Sequence, residues 1–489
     1  MDATNVLFIM SDEHNPRMMG CAGHPLVKTP NLDRLAERGT RFTANYTTNP
    51  ICVPARTSFA TGRYTHDIGY WDNALAYDGK VRGWGHRLQD EGIRVESIGK
   101  LHYVNETDPT GFDRQQIPMH IMDGIGQVWG SVRDPLPESP PSPPGARPGG
   151  GIIGKAGPGE SNYNRYDQNI GELTCEWLRD VAKTGDGKPW VLYAGFVAPH
   201  FPLIVPQEFF DLYPLADLEM PKLLPSDGHA WHPWIAARPR MSRPDGDGVD
   251  EEVTRRALAA YLGLCTFVDA QIGRVLDTLE ECGLSDNTRI VYTSDHGDNA
   301  GTRGLWGKGN FYEESGGIPL ILAGPDIPKG ETNNTATTLI DAYQTILQAT
   351  GLNPQDAEEN LPGHSWLDLL GTDDAERTAF SEYHAVGSPS AGFMLRDRKF
   401  KYHYYVGFEP ELFDIQSDPQ ETTNLAADPS HADILAGYHN RLCQMLDPEA
   451  VDRRAKDDQN ALIERFGGRE AALNTGTPGA SPPPGTKPE

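Results

Sequence analysis

An α/β fold with a large mixed, mainly parallel sheet flanked by helices, and a smaller C-terminal antiparallel-sheet subdomain, follows from three features of this 489-residue chain. Apolar runs recur, each ending in a cluster of polar or charged residues. Longer stretches between them carry a helical period. From about residue 376 the pattern shifts to short, closely spaced strands. A continuous apolar run marks a parallel strand buried on both faces, and open α/β sheets bind ligands at the carboxyl ends of such strands. The reading divides the chain into a catalytic α/β domain, residues 1–375, and a C-terminal α+β subdomain with a Pro/Gly-rich tail, residues 376–489.

Val6 to Met10 is the first apolar run, and it delivers Ser11-Asp12-Glu13-His14. Thr29 to Gly39 signals a helix, with Thr29 as cap, Pro30 at the first position and Gly39 past the end. A strand from Arg41 to Thr47 then leads into Cys52-Val53-Pro54-Ala55-Arg56-Thr57-Ser58-Phe59-Ala60-Thr61-Gly62. Pro54 suits a first helical turn and Gly62 a C-terminal end. Cys52 would sit at the positive end of that helix, where an anion is favoured, and Arg56, one turn on, can face the same space. Taken alone, a lone cysteine is more often a small buried apolar residue.

His66 to Asn73 follows, and Asn73 reads equally well as a turn residue. Gly92 to Gly99 is a second buried strand ending at Lys100-Leu101-His102, where an extended segment would point Lys100 and His102 the same way. Residues 135–158, including Pro137 to Pro144, form a Pro/Gly-dense surface excursion or subunit contact. A helix over Arg165–Lys183 precedes a strand over Trp190–Phe196, which ends at Ala198-Pro199-His200. Residues 203–250, with Trp231-His232-Pro233-Trp234, read as a packed long loop before an aromatic lid. Glu251 to Glu281 has the stripe Val253, Ala257, Tyr261, Leu264, Val268, Ile272 of a core-facing helix. Thr288 to Thr293 ends at Ser294-Asp295-His296, Lys308 lies in a Gly-rich loop beyond, and Ile318 to Ala323 is a further strand. Ala379–Tyr383, Phe393–Arg396 and Lys401–Val406 give the antiparallel sheet, His431–Met445 a helix, and residues 475–489 a mobile tail.

A formal net charge of −26 argues against nucleic acid or an anionic membrane as partner. An anionic substrate would then need Lys, Arg or a metal concentrated in its pocket. The first residues lack a basic leader, and no stretch has the length of a membrane span. The six cysteines contain no CxxC pair. Those other than Cys52 are expected as free thiols in a cytoplasmic protein.

The string Cys52-x-Pro54-x-Arg56 followed by Thr61-Gly62 resembles the signature of the type I sulfatases of the alkaline-phosphatase superfamily, close to choline sulfatases and phosphonate monoester hydrolases. Thr29 to Ala36, Gly304 to Glu314, Glu411 to Asp414 and Asp418 to Leu425 resemble further family segments. The resemblance implies that Cys52 is oxidised to Cα-formylglycine by formylglycine-generating machinery. It implies one divalent metal held by Asp12, Glu13, Cys52, Asp295 and His296. Glu13 and His296 depart from the commonest family residues, and the mixed ligand set leaves Ca²⁺ preferred with Mn²⁺ close behind. Arg56, Lys100, His102, His200 and Lys308 would be catalytic, with Asn73, Lys100, His200 and Lys308 on the substrate. In choline sulfatases a C-terminal tail crosses to a neighbouring subunit, so a homo-oligomer is one reading.

The function implied is hydrolysis of a small organic sulfate monoester, aryl or choline-like. A phosphonate monoester hydrolase or phosphodiesterase on the same scaffold is the alternative, motivated by His296 and Asn73. A non-catalytic anion-binding protein would keep Cys52 unmodified. Trp71, Tyr103, Trp306 and Tyr404 are available to line an aryl or quaternary ammonium pocket, each with an ordinary packing explanation.

Overall fold

The apolar runs become strands of one eight-stranded sheet. The structure is a computed structural model that describes residues 2–137, 152–185, 187–239, 249–354, 361–477 and 480–487. In chain order the large-sheet strands are β1 (Asn5–Asp12), β2 (Gly39–Phe42), β3 (Arg94–Lys100), β4 (Arg114–Met119), β5 (Trp190–Pro199), β6 (Thr288–Ser294), β7 (Leu320–Ala323) and β8 (Glu331–Asn333). They lie in the order β8-β2-β7-β6-β1-β5-β3-β4. β7 runs antiparallel to both its neighbours, and the other pairings are parallel. Most of the Pro137–Pro144 run lies outside the described residues.

β1 is central, paired with β5 and β6, and buried along its whole length. Its alternation feeds two helical layers. Leu7 and Ile9 join the core made with α1 (Pro30–Glu37), α3 (Asn162–Thr184) and α4 (Glu251–Glu281). Val6, Phe8 and Met10 join the core made with α2 (Cys52–Thr61) and α5 (Asp341–Ala349). A strand between two such layers has no polar face, hence the unbroken apolar runs.

Several local expectations change. Thr29 precedes α1 but makes no capping bond, because its hydroxyl donates to Asp33 Oδ1 and accepts from the Gly20 N–H. Gly39 opens β2, where a Cβ would stand 1.9 Å from the Leu322 carbonyl oxygen of the neighbouring strand. The strand expected over 41–47 is broken into β2 and a bridge at Asn45–Tyr46. Trp234 is fully buried and stacks on Tyr405. Trp231 donates to the Arg303 carbonyl. This Trp pair is packing rather than a lid.

The smaller sheet is antiparallel, β9 (Ala379–Tyr383), β10 (Gly392–Arg396), β11 (Phe400–Tyr405) and β12 (Glu411–Asp414), followed by α6 (Ala432–Met445) and α7 (Pro448–Arg465). It is joined to the main body by buried charge. Lys401 Nζ lies 2.7 Å from Glu313 Oε1 and 3.0 Å from Glu421 Oε1. The described part of the tail is packed rather than loose: Trp129 Nε1 donates to the Thr477 carbonyl at 2.8 Å. The Tyr163 hydroxyl donates to the Ser481 carbonyl at 2.5 Å. All six cysteines are free thiols.

Candidate active site

The carboxyl ends of β1, β3, β5 and β6 converge on the start of α2. β1 delivers Asp12 and Glu13, β3 delivers Lys100, β5 leads to His200, and β6 leads to Asp295 and His296. α2 begins at Cys52 itself and ends at Gly62, whose φ of 67° is the left-handed cap that glycine adopts without strain.

Ligand atoms of Asp12, Cys52, Asp295 and His296 all lie within 4.8 Å of one another, and all four residues are buried. Cys52 Sγ is 3.1 Å from His296 Nε2 and 3.8 Å from Asp12 Oδ1. His296 Nδ1 faces the Gly297 carbonyl at 3.1 Å, and a carbonyl can only accept. The proton therefore sits on Nδ1, and the Nε2 lone pair is turned toward the group, the orientation of an imidazole ligand. Hard carboxylates together with one imidazole fit a divalent cation.

Glu13 lies to one side. Its Oε2 is 2.9 Å from Lys308 Nζ and 3.3 Å from His200 Nε2, and with Asp12 and His200 it forms a second donor group. Glu13 Oε1 has no hydrogen-bond partner among the described residues. Burial pushes the Glu13 carboxyl up to about 8, as expected for an acid whose compensating charge is incomplete. The same burial acts on Asp12. There the charges of Lys100, His200, Arg56 and His296 overcome it and hold the carboxyl well below its ordinary range. Burial, then the Asp12 charge, push the Cys52 thiol up to about 12.

Arg56 does not reach toward a substrate. Its Nε donates to Asp295 Oδ2 at 2.8 Å and its Nη2 to Asp12 Oδ2 at 2.9 Å. Nη1 donates to the Lys100 carbonyl at 3.0 Å and to the Tyr193 hydroxyl at 2.9 Å. The guanidinium is a strut that fixes two carboxylates from two strands, so its charge is spent on the donor group.

Lys100 Nζ lies 2.6 Å from Asp12 Oδ2. His102 arrives by a different route from the extended segment expected. Gly99 has φ 98° and His102 has φ 61°, so the chain turns twice between them. The His102 ring is buried, with Nε2 2.9 Å from the Ser481 hydroxyl. His200 Nδ1 is 2.5 Å from the Phe201 carbonyl, which places its proton there and turns Nε2 to the site. Lys308 is held protonated: against its burial, Cys52, Glu13 and Asp12 raise it well above the usual lysine value. Asn73 Oδ1 accepts the Val53 N–H at 3.1 Å, which ties it to the residue after Cys52.

Some participants carried no signal in the sequence. Tyr193 lies inside an apolar run and looked like core, yet its hydroxyl is the fourth partner of Arg56. Ser481 lies in a Pro-rich tail and reaches His102 across 379 residues of chain. Trp71 and Tyr404, read as pocket aromatics, instead donate to Asp458 and Glu449 of α7. Tyr103 packs edge-on against Tyr77, and Trp306 is core.

The arrangement offers a nucleophile position over a divalent-cation site, lysines beside it, and imidazole nitrogens aimed inward. That is the equipment for transfer of a tetrahedral anion. Comparison with known proteins bears on which one. The sulfatase family model matches residues 4–352, and the model described as N-sulphoglucosamine sulphohydrolase, C-terminal, matches residues 301–447. A choline-sulfatase of Rhizobium meliloti is 29% identical over 476 residues, covering 93% of this chain and 89% of that protein. Arylsulfatase K of Mus musculus is 27% identical over 451 residues, covering 87% and 76%. The crystal structure of the phosphonate monoester hydrolase of Agrobacterium radiobacter superposes with a TM-score of 0.70 at 23% identity, covering 90% of this chain and 95% of that one, a likeness of fold. With the family match spanning residues 4–352 and the site assembled within it, this chain belongs to the sulfatase family and hydrolyses sulfuric esters.

Proposed function

We propose that the chain hydrolyses a small organic sulfate monoester with residue 52 as nucleophile, after oxidation of Cys52 to Cα-formylglycine. The observation that carries this reading is the convergence of Asp12, Asp295 and His296 on Cys52 Sγ. A hydrated aldehyde at residue 52 presents a hydroxyl for attack on sulfur, and its second hydroxyl opens an exit that a serine ester lacks. A divalent ion there, Ca²⁺ by preference and Mn²⁺ next, would be held by Asp12, Asp295 and His296, with Glu13 alongside. When bound it lowers the pKa of the nucleophile and neutralises sulfate charge.

The chain's own residues do the rest. Arg56 fixes the two aspartates. Lys100 and Lys308 supply positive charge in a dry site, where it is worth more than in water. His200 Nε2, 3.3 Å from Glu13 Oε2, would protonate the leaving oxygen after taking a proton from the Glu13 carboxyl, which burial pushes up to about 8. His102, whose buried Nδ1 has no hydrogen-bond partner among the described residues, would accept a proton from the residue-52 hydroxyl that expels sulfate. Asn73 holds the start of α2 in register.

The test is an intact-mass measurement on the residue-52 peptide, paired with turnover of 4-nitrophenyl sulfate and of a phenyl phosphonate monoester. Conversion of the thiol to an aldehyde and preference for the sulfate ester are expected. Preference for the phosphonate would establish the alternative on this scaffold. An unmodified thiol with tight sulfate binding and no turnover would leave an anion-binding protein.

A further inference from the structure

One buried cation is left over by the chemistry above. Arg133 follows the short 3₁₀ turn Val128–Ser131, and its side chain is 3% exposed. None of its guanidinium nitrogens has a hydrogen-bond partner among the described residues. Its nearest acid among the described residues is Asp452, at 3.9 Å, too far for a hydrogen bond. Asp452 is occupied elsewhere: Oδ1 accepts the Ala391 N–H at 2.6 Å and Oδ2 pairs with Lys456 at 3.1 Å. Asp72, the next acid, accepts from Ser131, Gln459 and the Ala74 N–H. A buried charge without a hydrogen-bonded partner is costly to keep. A planar fork is the group that grips a carboxylate or sulfate in two places.

The turn that leads to Arg133 is tied to the nucleophile: the Gln127 N–H donates to the Asn73 carbonyl at 2.9 Å, Asn73 Nδ2 donates to Gln127 Oε1 at 3.2 Å, and Asn73 Oδ1 accepts the Val53 N–H beside Cys52. On the other side, Trp129 of the same turn packs in one cluster with Trp234 and Tyr383, whose hydroxyl faces Arg238. Arg238 donates to that hydroxyl at 3.1 Å and to the carbonyl of Gly309, the residue after Lys308. Gly309 has φ 97°, and a Cβ there would stand 2.7 Å from Arg238 Nη2, so the chain is held close at this point. Lys308, Arg238 and Arg133 are thereby carried on segments joined through Gly309, Tyr383 and Trp129. The loop against them also carries unpartnered donors: the hydroxyls of Ser388 and Ser390 are buried without a hydrogen bond among the described residues. A quaternary ammonium would be repelled along this row, and an anion would be welcomed.

We propose that Arg133 is a specificity-determining residue that binds a second anionic group, a carboxylate or a further sulfate, on the leaving group of the ester. The preferred substrate is then a dianionic sulfate ester rather than an ammonium-bearing one. This rests on the sulfate-ester reading of the site. It is tested by calorimetric titration of the metal-loaded, full-length Cys52→Ala protein, which binds without turnover. The probes are 4-carboxyphenyl sulfate, its uncharged isostere 4-carbamoylphenyl sulfate, 1,4-phenylene disulfate and choline sulfate.

The carboxylate or the disulfate is expected to bind about ten- to a hundredfold tighter than the amide, and choline sulfate weakest. Which of the two anions leads distinguishes a carboxylate from a sulfate subsite. Adding Arg133→Met should bring the ratio near unity, and Arg133→Lys should keep part of it. Equal binding of acid and amide with Arg133 intact overturns the proposal, as does a ratio that survives Arg133→Met. In either case Arg133 is a structural counter-charge to Asp452. The two readings fail separately: converted, metal-loaded enzyme that turns over no sulfate ester refutes the reaction, while the binding ratio still reports on Arg133.

Discussion

Arg56 shows how much of the chemistry rests on one buried side chain that touches no substrate. It bridges the carboxylates of β1 and β6 and also holds the Lys100 carbonyl and Tyr193. Lysine would keep the charge but lose the planar fork. Arg56→Lys is therefore expected to lower stability by about 2–4 kcal/mol by denaturant titration. It should also weaken divalent-metal binding about ten- to a hundredfold, read by calorimetry, because the carboxylates lose the partner that orients them. Unchanged metal affinity would show that Asp12 and Asp295 are positioned without it. At this scale the sequence identified the participants and misjudged some of their jobs. Cys52, Lys100, His200, Asp295, His296 and Lys308 stand at strand ends or in a marked motif, so their presence was legible. The work of Arg56 was not, because a motif records which residue is present and not where its fork points. Tyr193 was hidden because a tyrosine in an apolar run satisfies a core pattern equally well.

At the scale of elements, the junction between the two sheets is held by a crowded set of buried charges. Lys401 on β11 serves both Glu313 and Glu421, and Glu421 Oε2 also accepts the Glu313 N–H at 2.7 Å. One lysine cannot satisfy two ionised carboxylates. Burial pushes Glu421 up to about 7, the pull of Lys401 notwithstanding, while Lys401 and two arginines hold Glu313 low against the same burial. The sign follows. Glu421 is protonated in the fold while the unfolded chain ionises near 4.5, so unfolding releases a proton between those values. Its contribution to stability therefore falls as pH rises from about 4.5 to about 7. Glu421→Gln should flatten that slope relative to the parent when denaturant midpoints are compared at pH 5, 6 and 7, and parallel slopes would contradict it. The elements themselves were mostly legible, with α4 falling on the residues the apolar stripe marked out. α7 was missed. Its sequence is highly charged, and beyond Pro448 at its start only a thin stripe of Asp452, Ala455, Gln459, Leu462 and Ile463 is buried, too weak an apolar period to notice. β12 was missed as well, since a run of four residues registers as a strand only beside the partner β11 that pairs with it.

For the molecule as a whole, the large sheet could be read because each buried parallel strand announces itself locally, whereas long-range returns of the chain leave no local trace. The tail is the clearest case: Pro and Gly predicted mobility, yet Ser481 and Thr477 are buried against Tyr163, His102 and Trp129. Truncation after Asn474 should cost about 2–3 kcal/mol of stability by denaturant titration, at about 1 kcal/mol for each lost hydrogen bond, and an unchanged midpoint would show that the tail merely rests there. Net charge acts over longer distances still. Before any cation binds the site carries little net charge, because Asp12 and Asp295 offset Arg56 and Lys100, which leaves Lys308 beside a Glu13 carboxyl that burial pushes up to about 8. An approaching sulfate ester therefore meets the field of a body carrying −26 before it meets the pocket. At about 0.01 M salt that field extends about 30 Å, and at about 0.15 M about 8 Å. Screening removes repulsion during approach while leaving the dry contacts inside nearly intact. We expect kcat/KM for 4-nitrophenyl sulfate to rise about two- to fivefold over that range, with kcat nearly constant. A fall with added salt would mean that the row of cations from Lys308 to Arg133 governs encounter instead, and that the acidic surface is turned away from the mouth of the site.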